Sequence, residues 1–102
     1  MDDQLKEKVD NVLMDVYDPE LHVDIFSLGL IYEVTNPKKS KLHVLMTLTF
    51  PGCPYGPSIV EEVESRLQSE IDGIEEVEVE VTFDPAWSPE LIDDDIRAAI
   101  GF

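Results

Sequence analysis

The sequence predicts an α+β fold: a two-layer sandwich in which a small, mostly antiparallel sheet carries helices on one face, in the order α-β-β-α-β-α. Three observations predict it. Apolar residues recur at helical spacing at the start and in the middle of the chain. Between and after those stretches, apolar and polar residues alternate strictly, as in half-buried strands. At 102 residues there is room for one core and one domain, residues 1–102, with no linker or internal repeat.

From Asp2 to Val16, the positions Leu5, Val9, Val12, Leu13 and Val16 form one apolar stripe opposite a charged face, which predicts a helix. Pro19 ends it, because the residue before a proline is pushed out of helical geometry. Ile25 to Thr35 reads as a strand with Leu28, Leu30, Tyr32 and Val34 on one face. Gly29 within it signals a bulge or a close backbone approach. Asn36 to Ser40 is a turn by composition. Leu42, Val44, Met46, Leu48 and Phe50 then alternate with His43, Leu45, Thr47 and Thr49, and the two strands read as an antiparallel hairpin.

A Pro- and Gly-rich loop, Pro51 to Pro57, precedes a second helix. Ser58 and Glu61 have the spacing of a capping box, Val60, Val63, Leu67 and Ile71 supply the buried stripe, and Gly73 stands where a helix stops. Glu76 to Phe83 alternates with Val77, Val79, Val81 and Phe83 inward and glutamates outward. Ser88-Pro89 opens a short last helix with Ile92, Ile96 and Ile100 on one side. Asp93, Asp94 and Asp95 lie near its positive end, where carboxylates stabilise it.

Composition excludes several functions. The chain has 23 acidic and 7 basic residues, a net charge of −16, so it lacks the basic face that nucleic-acid binding requires. No apolar run approaches the roughly 20 residues that span a bilayer. The acidic start, Met1-Asp2-Asp3-Gln4, is not a secretory signal, and a cytoplasmic protein is expected. Lys38, Lys39 and Lys41 cluster in the hairpin turn and read as a solvated tip. Phosphate-loop and dinucleotide glycine motifs are absent.

The one cysteine, Cys53, stands in Thr49-Phe50-Pro51-Gly52-Cys53-Pro54-Tyr55-Gly56, between a strand and a helix start. A thiol at such a junction faces the positive end of a helix dipole, a setting that activates thiols. It is then a metal or cluster ligand or a persulfide carrier. The other reading is a small buried hydrophobe, since free cysteine is among the most buried residue types. The residues alone leave both open. Asp18 and Glu20 offer oxygen ligands or a proton-handling group, or else form a turn in which Asp18 bonds nearby amides. Thr49 either bonds the cysteine loop or is a plain strand residue. His22 and His43 have no zinc-type spacing, and His43 alternates onto the outer strand face. Trp87, between two prolines, reads as a loop anchor. A cysteine hydrolase is disfavoured, because no oxyanion motif accompanies the histidines.

Four stretches occur in a fixed order: Asp18-Pro19-Glu20-Leu21, Leu28-Gly29-Leu30-Ile31-Tyr32, Thr49-Phe50-Pro51-Gly52-Cys53-Pro54 and Pro85-Ala86-Trp87-Ser88-Pro89. Together they resemble the MIP18 (DUF59) family of iron–sulfur cluster assembly factors, which includes SufT-like proteins, over essentially the whole chain. The resemblance implies a non-enzymatic factor that delivers or matures clusters on client proteins. Its working cysteine falls on Cys53 and its acidic turn on Asp18 and Glu20. Its partners are then iron–sulfur scaffold or carrier proteins and client apoproteins, and its cargo a transiently bound iron–sulfur cluster or iron. Ser27 stands where the family usually has an acidic residue just before the Leu-Gly-Leu run, and Asp24 lies nearby in sequence as a carboxylate. Relatives also include the PaaD-like component of a multicomponent oxygenase, so the alternative is an interaction subunit in which Cys53 is incidental. One thiolate cannot hold a cluster, which typically takes four such ligands. Either a homodimer presents two Cys53 side chains, or carboxylates, a small thiol or a client's cysteines complete the shell.

Overall fold

The computed structural model describes residues 2–101. Helix α1, Asp3–Leu13, starts at Asp2, whose carboxylate accepts the Leu5 N–H at 2.8 Å. It buries Val9, Val12 and Leu13, and Val16 just beyond it is fully buried. Two short strands follow, β1 (Tyr17–Asp18) and β2 (Val23–Asp24), paired antiparallel. The main sheet consists of β3 (Ile31–Lys38), β4 (Lys41–Met46) and β5 (Glu76–Val81), in the order β3-β4-β5. Between β4 and β5 runs α2, Gly56–Glu70; after β5 come a 3-10 turn, Pro89–Leu91, and α3, Asp94–Ile100. The α+β class and the two-layer arrangement are as the sequence predicts.

Strands β3 and β4 are antiparallel and β4 and β5 are parallel. The parallel pair follows from α2: a strand that leaves through a helix and returns to the adjacent position does so in the same direction. Leu42, Val44 and Met46 are fully buried and pair with Val77, Val79 and Val81, so these rungs share the covered face. Helix α2 packs against β5, and α1 packs against α2. The opposite face carries Lys41, His43 and Leu45 beside Glu76, Glu78 and Glu80. There Lys41 reaches Glu76 at 3.3 Å and His43 reaches Glu80 at 3.2 Å, a ladder of opposite charges in solvent.

Several boundaries differ from the expectation. The strand expected from Ile25 begins only at Ile31. Leu28 and Leu30 are fully buried, but in a turn: Leu28 N–H donates to Asp24 C=O and Gly29 N–H to Phe26 C=O. Gly29 has φ +76°, and a Cβ there would lie 2.2 Å from the Leu91 carbonyl oxygen. The close approach expected of Gly29 is therefore real, but it is made in a turn rather than a strand. At its other end, β3 runs through Asn36 and Pro37 to Lys38, because the Asn36 side-chain amide donates to the carbonyls of Lys38 and Lys41 across the hairpin end.

Strand β4 stops at Met46, four residues short of the expected Phe50. The capping box does not form. Helix α2 starts earlier, at Gly56, with Tyr55 at the cap position, no side-chain cap bond and a proline in the first turn. The sequence places Pro57 there, where a missing N–H costs nothing. Val81 and Phe83, expected inward, are 36% and 38% exposed: Val81 is the last residue of the edge strand β5, and Phe83 lies beyond it. The last helix is two pieces, and Asp93 rather than Ser88 caps α3 by accepting the Asp95 N–H.

Candidate functional site

The cysteine loop is built from two consecutive turns. After Met46 the chain keeps one more bond on each side: Thr47 N–H donates to Leu30 C=O at 2.8 Å, and Thr82 N–H to Met46 C=O at 2.9 Å. Then Phe50-Pro51-Gly52-Cys53 turns, closed by Cys53 N–H to Phe50 C=O at 3.3 Å. Proline at the second position and a glycine with φ +82° at the third are the signature of a type II turn. Cys53 C=O accepts the Gly56 N–H at 3.0 Å, and Ile59 N–H to Tyr55 C=O begins the helical ladder of α2. Both backbone polar groups of Cys53 are thus committed, which fixes its position three residues ahead of α2.

The Cys53 side chain points inward. It is 5% exposed and belongs to the core cluster with Leu48 and Ile59. Around it the loop surface is apolar and open: Phe50 is 43% and Tyr55 42% exposed, and Pro51 and Pro54 are exposed as well. The first turn of α2 carries no acidic residue. The thiol is therefore almost wholly covered.

Asp18 and Asp24 sit on adjacent rungs of the β1–β2 ribbon, paired with Val23 and Tyr17. Neighbouring rungs face opposite sides, so the ribbon does not aim the two carboxylates at one point. Asp18 is 2% exposed, and its Oδ1 accepts the Glu20 N–H at 2.8 Å and the Leu21 N–H at 3.0 Å. Asp18 C=O accepts the His22 N–H, which holds His22 at φ 59°. Asp24 accepts the Ser27 N–H at 2.9 Å. Glu20 and His22 are exposed. Among the described residues, no group of three or more His, Cys, Asp or Glu side chains is gathered to hold a metal ion.

Thr49 is half-buried and its side chain makes no hydrogen bond among the described residues. The fully buried threonine is Thr47, at the strand end. Sequence alternation put Thr47 outward; the signal that could have moved it is the Pro-Gly turn, which must be entered from a strand that has already ended. Trp87 donates its Nε1–H to Leu28 C=O at 2.7 Å and Tyr32 its hydroxyl to Pro85 C=O at 2.8 Å. Asp93 N–H donates to Ser27 C=O at 2.8 Å. These bonds hold residues 85–93 as a strap over the turn at Gly29. Backbone bonds continue from Val16 through Ile25 and Leu30 to Thr47, so the acidic ribbon, the strap and the entry to the cysteine loop share one frame.

A family model described as "Iron-sulfur cluster assembly protein" matches residues 6–81. The chain is 38% identical over 101 residues to the Fe-S protein maturation auxiliary factor YitW of Bacillus subtilis, across 99% of this chain and 98% of that one. It is 40% identical over 86 residues to the Fe-S protein maturation auxiliary factor SufT of Staphylococcus aureus, across 84% and 97%. Among solved structures, a DUF59 domain of unknown function from Bacillus anthracis matches with a TM-score of 0.89 at 36% identity, across 97% of this chain and 93% of that one.

Proposed function

This chain belongs to the DUF59-type family of iron–sulfur cluster assembly proteins, and on that premise we propose that it matures iron–sulfur proteins by offering Cys53 as a passing ligand to their clusters. Its role in iron–sulfur protein assembly and maturation is that of its relatives. The observation that carries the cysteine assignment is placement: the only thiol in the chain stands on a doubly fixed turn, at the mouth of a helix start free of acidic residues, within an apolar rim.

The donor set of one chain does not fit a resident cluster. One thiol is present, Asp18 is buried with its Oδ1 accepting two backbone amides, and among the described residues no three His, Cys, Asp or Glu side chains are gathered for a metal. The cluster is therefore cargo. Transfer is ligand exchange without net redox change. Cys53 releases its proton as its sulfur bonds iron in place of a donor's ligand, and takes one up when a client thiolate displaces it. The missing ligands come from a scaffold or carrier protein, a client apoprotein or a second copy of the chain. The protein does no catalysis of its own and works in the cytoplasm.

The burial of Cys53 favours a second reading, an interaction subunit in which the thiol is a packing residue. Complementation separates the two. In a host lacking its own copy, wild-type chain and Cys53→Ala are expressed at equal levels, and the host's iron–sulfur enzymes are assayed before and after anaerobic cluster repair. The ligand reading expects Cys53→Ala to lower the unrepaired activity only. Full occupancy with Cys53→Ala overturns it and leaves the interaction reading.

A further inference from the structure

On the sheet face opposite α2, a cavity of about 520 Å³ lies between the strands and the strap, lined by Gly29, Ile31, Tyr32, Leu45, Pro85 and Leu91, with Asp84 at its edge. Leu91 is 43% exposed, although it belongs to the strap that Trp87 and Asp93 hold in place. Register fixes what surrounds the floor. Leu45 stands directly between Glu33 of β3 and Glu80 of β5, and cross-strand partners share a face. Among the described residues neither Glu33 nor Asp84 makes an ion pair, whereas Lys41 and His43 on the same face are already engaged with Glu76, Glu78 and Glu80.

We propose that this groove docks a segment of a partner protein in which a large aliphatic or aromatic side chain is flanked by lysine or arginine. The apolar residue fills the space over Leu45 and Leu91, and the flanking cations meet Glu33 and Asp84. Charge complementarity selects this occupant. The carboxylate rim, on a chain of net charge −16, repels nucleic acid and anionic lipid. The floor also lacks the convergent polar groups that orient a small ligand. The Tyr32 hydroxyl is turned to Pro85, and what remains is an apolar centre with a charged rim, the pattern of a protein interface. The inference is independent of Cys53.

The test is selection of a phage-displayed library of random dodecapeptides on the folded full-length chain. Enriched sequences should place Leu, Ile, Phe or Trp within two positions of Lys or Arg. The synthetic consensus peptide should shift the amide resonances of Ile31, Tyr32, Leu45 and Leu91 in a 15N-labelled sample. Leu45→Ser and Leu91→Ser should each weaken it about tenfold or more, and Cys53→Ala should leave it unchanged. Should either serine variant lose its native spectrum, the surface pair Glu33→Gln and Asp84→Asn serves instead, with a weaker and less salt-sensitive affinity expected. The proposal is overturned by no enrichment over the input library, by enrichment of cation-free or acidic sequences, by shifts mapping to another face, or by unchanged affinity in the variants. Co-sedimentation of the chain with phosphatidylglycerol vesicles, lost on Leu91→Ser, would equally overturn it in favour of a lipid surface.

Discussion

Replacing Gly29 by alanine should be among the most destabilising single changes in the chain. Two effects add. A non-glycine residue at φ +76° carries about 1 kcal/mol of backbone strain. The new Cβ would also meet the Leu91 carbonyl oxygen at 2.2 Å and its carbonyl carbon at 2.8 Å, and real Cβ contacts essentially never fall below 3.0 Å. The atoms in the way are backbone, so no rotamer change relieves the clash and the strap must retreat. Its bonds from Trp87 to Leu28 and from Asp93 to Ser27 then weaken, at about 0.5–1.5 kcal/mol each. Ile92, 2% exposed, gives up part of the roughly 1.5–3 kcal/mol its burial contributes. The sum is about 4 kcal/mol, a large share of the roughly 5–15 kcal/mol that holds a small domain. Gly73 provides the control. Its φ is +88°, but a Cβ there meets nothing within 4 Å, so Gly73→Ala should lose only the strain, about 1 kcal/mol. Urea unfolding of both variants, followed by tryptophan fluorescence and circular dichroism, gives the comparison. If Gly29→Ala costs no more than Gly73→Ala, the strap does not rest on that close approach and the reasoning fails.

Asp18→Asn should retain most stability, because an amide oxygen still accepts from Glu20 and Leu21; Asp18→Ala should lose about 2–3 kcal/mol in urea, leaving buried donors unpaired. If Asp18→Asn unfolds as readily as Asp18→Ala, the turn depends on the charge rather than the hydrogen bonds. Arg66 ties α2 to the segment just after α1 by donating to the Asp15 carbonyl and carboxylate at 2.8 Å, and it also donates to Glu70 within α2. Hydrogen bonding to Glu70 and then to Asp15 holds its guanidinium above the ordinary arginine value, so its charge does not vary over any working pH. Arg66→Ala should lower stability by about 1 kcal/mol, with Arg66→Lys recovering less than half, since a lysine cannot reproduce the fork. Equal midpoints for the wild type and Arg66→Ala in urea at low salt would contradict this.

Much of the fold was legible because burial imprints a period on the sequence. The alternation at Leu42, Val44 and Met46 gave β4, and the stripe at Val9, Val12 and Leu13 gave α1. Gly29 announced a close approach, and Trp87 a loop anchor, through residue type alone. Periodicity misled where a turn buries alternate residues: Leu28 and Leu30 read as strand although the chain turns between them. The two-residue strands β1 and β2 are too short to leave any pattern. Ser58 and Glu61 had the spacing of a cap, but Pro57 and the turn at Cys53 started the helix first. At the site, Pro51-Gly52 specified the backbone turn, a local matter. The inward direction of the Cys53 side chain follows from the packing of the whole core cluster, which is tertiary, and no local signal carries it.

The claim that Cys53 is a passing ligand is tested most directly by anaerobic reconstitution with ferrous iron and sulfide, followed by desalting, counting of iron and sulfide per chain, and light scattering. The wild-type chain should hold equal iron and sulfide at no more than about one cluster per two chains, on a dimer or with an added small thiol. Cys53→Ala, folded by circular dichroism, should hold none. Equal iron and sulfide in the wild type and Cys53→Ala, or a full cluster on each wild-type monomer without added thiol, would contradict it.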